Sequence, residues 1–488
     1  MTTATDPAPA TTVYEQRHGT LSTLNDDGSR RWINPRPSRG PFWRRRRAVA
    51  YLLIALFTAI PYIKVGGLPL VLLDIVHRRF TILGYTFLPT DTPLFVLLMV
   101  AIFLSVFLAT SVLGRVWCGW ACPQTVYLEF LYRPIERFFE GEPGRAGKPA
   151  SGVRRALKYA SFLLASLFLA HTFLAYFVGV DQLLTWVTRS PLEHPSAFLL
   201  MAGVTAAMLF DFGFFREQLC TIACPYGRFQ SVMLDRGSLI VAYDRLRGEP
   251  RGKGKRVSLP VISAAPAAKG DCIDCRMCVT TCPTGIDIRD GLQMECLHCT
   301  QCIDACDAVM EKVGLPTGLI RYSSQRDLDG EPRRIRPRVV IYSILLTLIA
   351  SIFTLAVFSK PPVDINLLRG RGMPFTELDN GLVSNQVRIK VTNRLMEPGT
   401  YTISLVGPPE GARVEIEGAE NPFTVAPGEQ ATVALLIMLP RSVFVPTGTY
   451  DAQISIETAR GYRSQQTYRL LGPMNNRSNG RAKEVPNG

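Results

Sequence analysis

CIDCRMCVTTCP (272–283) and CLHCTQCIDACD (296–307) decide how this chain is read. Each is a C-x2-C-x2-C-x3-C run. Two such runs a short insert apart match the pattern of a two-cluster ferredoxin, in which the fourth cysteine of each run ligates the other cluster. Cluster 1 then takes Cys272, Cys275, Cys278 and Cys306, and cluster 2 takes Cys296, Cys299, Cys302 and Cys282. The spacing has a physical cause: three closely spaced thiolates wrap one loop around a cubane, and the fourth opens a helix that faces its pseudo-symmetric partner. Pro283 follows the first run as the pattern expects, whereas Asp307 stands in that place after the second. Two zinc sites are the bland alternative, but zinc usually takes its four ligands as two separated pairs.

A second cysteine pattern lies upstream. WCGWACP (117–123) and LCTIACP (219–225) form an internal repeat, each with C-x3-C-P and an arginine just before it, Arg115 or Arg216. Positions i and i+4 share a helix face, so Cys118 with Cys122, and Cys220 with Cys224, are expected side by side. Pro123 and Pro225 favour a kink or break there. Packed together, the two segments bring four thiols to one place, and soft thiolates suit Cu(I), zinc or an iron–sulfur centre. A single such pair would read as buried small hydrophobes; its repetition favours a redox or metal role.

The rest of the chain says where these cysteines sit. Its 488 residues suffice for two or three domains, and a mean hydropathy of +0.14 with 19% charged residues places part of it in a membrane. Apolar stretches Ala48–Ile63, Pro93–Leu113, Leu157–Val178, Ser196–Phe215 and Val339–Phe358 predict five spans, the first short and broken by Pro61. Lys and Arg crowd the tail ending in Arg44–Arg47, the segment 115–155 and the segment 216–338, and are sparse in the loops between. Positive flanks stay in the cytoplasm, which predicts a cytoplasmic N-terminus, cytoplasmic clusters and an exported C-terminus. The net charge of +14 is therefore read as topology and not as a nucleic-acid footprint. Twelve tightly grouped cysteines, none beyond Cys306, fit metal binding in a reducing compartment better than disulfides.

The expected organisation is a cytoplasmic tail (1–47), helices 1–4 with the first C-x3-C-P (48–215), and a cytoplasmic region (216–337) with the second motif and a ferredoxin-like insert at 262–315. Helix 5 (338–358) and a periplasmic Ig-like β-sandwich with its tail (359–488) complete it. In that last part Gln386–Val391, Thr400–Val406, Ala431–Met438 and Thr449–Ile456 read as strands, separated by turns such as Pro408–Gly411 and Pro446–Gly448. Among lesser candidates, His171 within helix 3 reads as hydrogen-bonded structure rather than a haem ligand, and no C-x-x-C-H occurs. Asp211, the one acid well inside a span, handles a proton or cation or lies near the interface. Met201, Met208, His77 and His194 read as packing or loop residues, and the glycines of 248–254 lie in a linker, not after a strand.

These residues resemble the CcoG/FixG/RdxA family, accessory proteins for assembly of cbb-type haem-copper oxidases. The likeness runs from WINPRP (32–37) through both C-x3-C-P motifs to the β-domain, and is most specific in CPTGIDIRDGLQMEC (282–296) and CIDACD (302–307), where Asp307 looks like the family form. The resemblance implies two 4Fe-4S clusters and a membrane cupric reductase: a cytoplasmic donor feeds electrons through the clusters to Cu(II), with Cys118, Cys122, Cys220 and Cys224 as the copper-binding or redox relay. It implies an outer β-domain that docks a copper chaperone or an oxidase subunit, and leaves a homodimer open. Two rivals remain. A quinol-oxidising membrane ferredoxin of a respiratory chain shares these motifs, although the fifth helix and exported sandwich argue against its simplest members; a scaffold would use the clusters only structurally.

Overall fold

The computed structural model describes residues 22–25, 27–65, 68–76, 78–83, 85–87, 91–143, 151–252, 270–332, 334–361, 363–370, 372–394, 397–418, 420–445, 447–459 and 461–474. His77 and residues 262–269 of the expected insert lie outside them. The chain forms two compact units, one from the segment up to Pro61 with Asp91–Ala356, the other from Tyr62–Thr90 with Val357 onward.

In the first unit four helices are long and apolar enough to cross a membrane: Thr92–Leu113, Gly152–Val178, Pro195–Phe215 and Pro337–Phe358. At about 1.5 Å per residue, even the shortest, of 21 residues, matches the roughly 30 Å of hydrocarbon. Many of their Ile, Leu and Phe side chains face outward; Ile344, Leu348 and Leu355 are all exposed, a surface suited to lipid and not to water. Hydroxyls within them, such as Thr172, Thr205 and Thr347, bond back to carbonyls one turn earlier and so leave no donor unsatisfied in lipid.

The first of the five expected spans is not among these four. Its helix runs Pro41–Ala59, so the arginine run lies inside it and only Ala48–Ala59 is apolar, about 18 Å of helix. Its N-terminus is instead built into the cluster-bearing part, where the Asp304 carboxylate accepts from Phe42 N at 3.1 Å and Trp43 N at 2.7 Å. Arg46 is fully buried.

The cluster-bearing part sits where spans end. Strand Ile240–Tyr243 pairs antiparallel with Ile320–Ser323, and short helix Met277–Thr280 packs beside Gln301–Lys312. Three donors hold it to the end of Thr92–Leu113: Ser238 Oγ and Arg336 Nη1 both bond Ser111 O, at 2.7 and 2.8 Å, and Leu239 N bonds Val112 O. These satisfy carbonyls that every helix C-terminus leaves open.

The second unit contains a β-sandwich. One sheet orders Arg413–Glu417, Gln430–Pro440, Leu382–Asn393 and Val363–Arg369; the other orders Phe423–Val425, Gly399–Val406, Thr449–Thr458 and Arg463–Leu471. All neighbours are antiparallel. Alternation does the work: Val383, Val387, Ile389 and Val391 point inward against Tyr401, Ile403, Ile454 and Ile456. The four stretches expected as strands lie inside these strands. The same unit holds a three-stranded meander, Val71–Asp74, Arg79–Ile82 and Tyr85–Phe87, in what the sequence presents as a loop.

Candidate metal centres

The two cysteine runs fold as near copies of each other. Non-glycine residues in the left-handed region flank each central cysteine, Asp274 and Arg276 around Cys275, His298 and Thr300 around Cys299, with φ between 53° and 62°. Such backbone is costly for Thr300 above all, and persists where the surroundings demand it. The winding places Cys282 with the second run. Cys282, Cys296, Cys299 and Cys302 line one cavity, together with Cys278, Pro283, Ile286 and His298. Cys306 returns to the first run, where burial and then Cys278, Asp307, Cys275 and Cys272 push its thiol up to about 12.

These thiols are poor acids as they stand. Burial raises Cys278 and Cys296 to about 12 and Cys302 well above the ordinary range. A cation that displaces the protons reverses this, so the donor set fits a metal group and does not suit free thiolates. The cavity and the crossed cysteine sets fit cubanes, whose four thiolates stand around a cage and do not close on one ion. Among the described residues no three His, Cys, Asp or Glu side chains are drawn in to a mononuclear site. Each set has two buried cysteines, Cys272 and Cys278 in the first and Cys296 and Cys299 in the second, and of the eight Cys275 is the one that is exposed.

The C-x3-C-P pairs turn out to bracket a corner and not to lie on one helix face. Cys118 lies in helix Val116–Trp120, but Cys122 is extended (φ −61°, ψ 127°) and caps the next helix, Pro123–Tyr127. Cys220 lies in a π-wound turn, Leu219–Ala223, and Cys224 (φ −72°, ψ 111°) caps Pro225–Met233. Proline at the first helical position forces the break because the preceding residue is kept extended. The four thiols do converge. Burial pushes Cys118 up to about 11 and raises Cys220 still further, and both sense Cys122 and Cys224.

Cluster 2's loop is packed onto this corner. Cys118, Leu297 and Cys299 form one buried group with Cys220 and Tyr226 against it. Gly119 makes the approach possible, since a Cβ there would stand 2.7 Å from the carbonyl oxygens of Leu297 and His298. Arg46 Nε donates to Gly119 O at 2.8 Å, Cys118 Sγ to Gln230 Oε1 at 3.2 Å, and Arg115 N to His298 Nδ1 at 3.1 Å. The last bond leaves the proton of His298 on Nε2. Burial, followed by Arg115, keeps that ring neutral, with a pKa pushed down to about 3.

Of the other candidates, His171 Nδ1 lies 2.8 Å from Leu167 O one turn earlier. Asp211 accepts from Gln124 Nε2 at 3.0 Å, beside the first motif. Met201 Sδ faces Thr205, Met208 packs on Phe212's cluster, and His194 sits by the Trp186 ring. Gly119, Gln230 and His298 were not singled out from the sequence; only the glycine between two motif residues carried a local signal.

Comparison with known proteins agrees with this arrangement. Residues 215–325 match the family model described as a 4Fe-4S dicluster domain, 95–141 a 4Fe-4S binding domain, and 353–473 the Ig-like fold at the C-terminus of FixG. The chain is similar to protein RdxA of Cereibacter sphaeroides, 32% identical over 88% of this chain and 94% of that one. Protein RdxB of the same organism is 37% identical over 73% and 76%. The nitrogen fixation protein FixG of Rhizobium meliloti is 30% identical over 85% and 88%. The chain thus belongs to the FixG/RdxA family of iron–sulfur proteins, here carried on apolar helices long enough to span a membrane.

Proposed function

We propose that this chain is a cytoplasmic-membrane electron carrier that reduces Cu(II) to Cu(I) for assembly of a cbb-type cytochrome c oxidase. Cys272, Cys275, Cys278 and Cys306 hold one 4Fe-4S cluster and Cys296, Cys299, Cys302 and Cys282 the other; each cluster, once bound, stores and passes single electrons. A cytoplasmic one-electron donor meets the exposed Cys275 side. The cluster that Cys282, Cys296, Cys299 and Cys302 would hold would supply one electron to the corner of Cys118, Cys122, Cys220 and Cys224, where the substrate Cu(II) would bind and leave as Cu(I). The observation that carries this reading is the direct packing of Leu297, His298 and Cys299 on Cys118 and Gly119.

The N-terminus and clusters face the cytoplasm and the β-sandwich the periplasm, where it docks a copper chaperone or an oxidase subunit; a homodimer is compatible with this. The test uses anaerobically purified, pre-reduced full chain. Stoichiometric Cu(II) is added while cluster absorbance and a Cu(I)-specific chelator are followed. Cu(I) appearance matched by cluster reoxidation, and impaired in the Cys118→Ser/Cys122→Ser variant, is expected. Full-rate reduction by that variant removes the relay role. Cluster reduction by a quinol, indifferent to copper, would favour the respiratory ferredoxin instead. Because residues 95–141 match a 4Fe-4S binding model, iron analysis of the wild type also reveals whether the four thiols hold a third cluster.

A further inference from the structure

The buried charges of the first unit fall into two groups. One is a self-contained network in which Arg133 meets Glu129 at 2.5 Å, Arg216 meets Glu136 at 2.7 Å, and Arg30 approaches Glu217 at 3.6 Å. Two buried arginines have no ion pair among the described residues: Arg46, whose Nε donates to Gly119 O and which lies within reach of Glu129, and Arg115. Arg115 is 2% exposed, and its bonds go to neutral acceptors: Nε to Gln230 Oε1 at 3.1 Å and Nη1 to the carbonyl of Met294. A guanidinium removed from water without a counter-charge is strongly unfavourable, so something beside Arg115 carries negative charge in the working protein.

What lies beside it is sulfur. Its backbone N–H bonds His298, between Cys296 and Cys299, and its partner Gln230 accepts from Cys118. Its guanidinium also reaches Gly227, which lies against the carbonyl of Cys220. Cluster 1 has no such neighbour: Arg289 beside Cys278 is already neutralised by Asp287 and Asp274, each at 2.6 Å, and Arg247 by Asp271 at 2.6 Å.

We propose that Arg115 is the positioning residue that joins cluster 2 to the thiol corner, serving as counter-ion to both and making cluster 2 the easier of the two clusters to reduce. The proposal rests on the electron route above and gives it a direction. An electron held on cluster 2 would be stabilised beside an uncompensated cation.

The test is an anaerobic redox titration of the full chain, with the two clusters followed separately by electron paramagnetic resonance. In Arg115→Gln the cluster 2 midpoint shifts to lower potential while cluster 1 stays in place, and Arg115→Lys restores most of the shift. Gln230→Glu keeps Arg115 but supplies the missing carboxylate, and shifts cluster 2 in the same direction. If Arg115→Gln fails to retain cluster 2, its retention by Arg115→Lys supports the role of the charge; loss from both overturns it. An iron-loaded Gln230→Glu protein with wild-type midpoints, or equal shifts at both clusters, overturns this inference alone. A wild-type chain without iron and labile sulfide overturns the electron route with it.

Discussion

Aligned on their cysteines, the two C-x3-C-P segments pair Gly114 with Arg216, Arg115 with Glu217, Gly119 with Thr221 and Gln124 with Tyr226. The backbones follow one plan. Each begins at a left-handed residue that ends a span, Gly114 at φ 62° and Arg216 at φ 52°. Each is closed by a cysteine N–H reaching five residues back, Cys122 to Trp117 O at 2.9 Å and Cys224 to Leu219 O at 2.7 Å. The residue after each proline reaches into the opposite half: Gln124 bonds Asp211, and the Tyr226 hydroxyl stands 3.2 Å from that of Thr110. The side chains then diverge. At the position just after the left-handed residue, one half buries a cation, Arg115, and the other an anion, Glu217, each 2% exposed. The repeat supplies the corner, and substitution has fitted one half to the cluster and the other to an internal arginine network.

The largest expected effect tests that division. A methyl on Gly119 meets two backbone oxygens at 2.7 Å, and backbone atoms cannot swing aside, so the Leu297–His298 loop must withdraw. Gly119→Ala is expected to keep its iron yet slow copper-dependent cluster reoxidation on the order of a hundredfold, the scale for a misplacement of about 1 Å. Thr221, the matching residue, spends its hydroxyl on the Glu217 and Gln218 carbonyls of its own turn. Thr221→Gly should therefore leave the reoxidation rate close to wild type in stopped-flow absorbance. Equal rates for the two variants would mean that both halves face the cluster alike.

How far this was legible follows from which signals are local. The cysteine runs were, because ligand spacing along the chain fixes how a loop can wrap, and strands such as Leu382–Asn393 were, because their alternation of buried side chains is written residue by residue. The start of the first helix was not, because hydropathy sees Ala48–Ile63 but not the Asp304 cap, which arrives from 262 residues away and draws the helix start back to Pro41. The match of Arg115 to Arg216 also failed. Both lie just upstream of a cysteine, but only the left-handed turn shows that Arg216 occupies the glycine's place and that Glu217 is the true counterpart of Arg115. Gln230 could not be found at all, since nothing in CPYGRFQ (224–230) distinguishes a glutamine on Cys118 from one in water.

A smaller effect probes the second half. Glu217 faces Arg30 and Arg133 at 3.6 Å and Arg216 at 4.0 Å, the last two buried and Arg30 partly so, and Glu217→Gln leaves cationic charge without its counterpart. Breaking a buried pair costs about 3–5 kcal/mol, expected as a lower unfolding midpoint in detergent. Glu136 holds Arg216 bidentately at 3.2 and 2.7 Å but is partly exposed, so water takes over some of its work. Glu136→Gln should cost less. The reverse order would place the structural weight of this half on its rim.

The smallest effect asks whether the halves support each other. Gln124 donates to Asp211 Oδ1 at 3.0 Å and to Arg216 O at 3.1 Å, both in the other half, so Gln124→Ala strands a partly buried carboxylate and should cost about 1–2 kcal/mol. Tyr226→Phe removes one hydroxyl, and Thr110 keeps its bond to Val106 O at 2.7 Å, so the loss should be at the low end, about 0.5 kcal/mol. The double variant decides between two pictures. If the swapped contacts clamp one corner, losing the first loosens the second and the combined loss departs from the sum by more than about 0.5 kcal/mol. If the losses simply add, each half is held by its own span, and the pseudo-symmetric contacts are a relic of the repeat and not a brace for the four thiols.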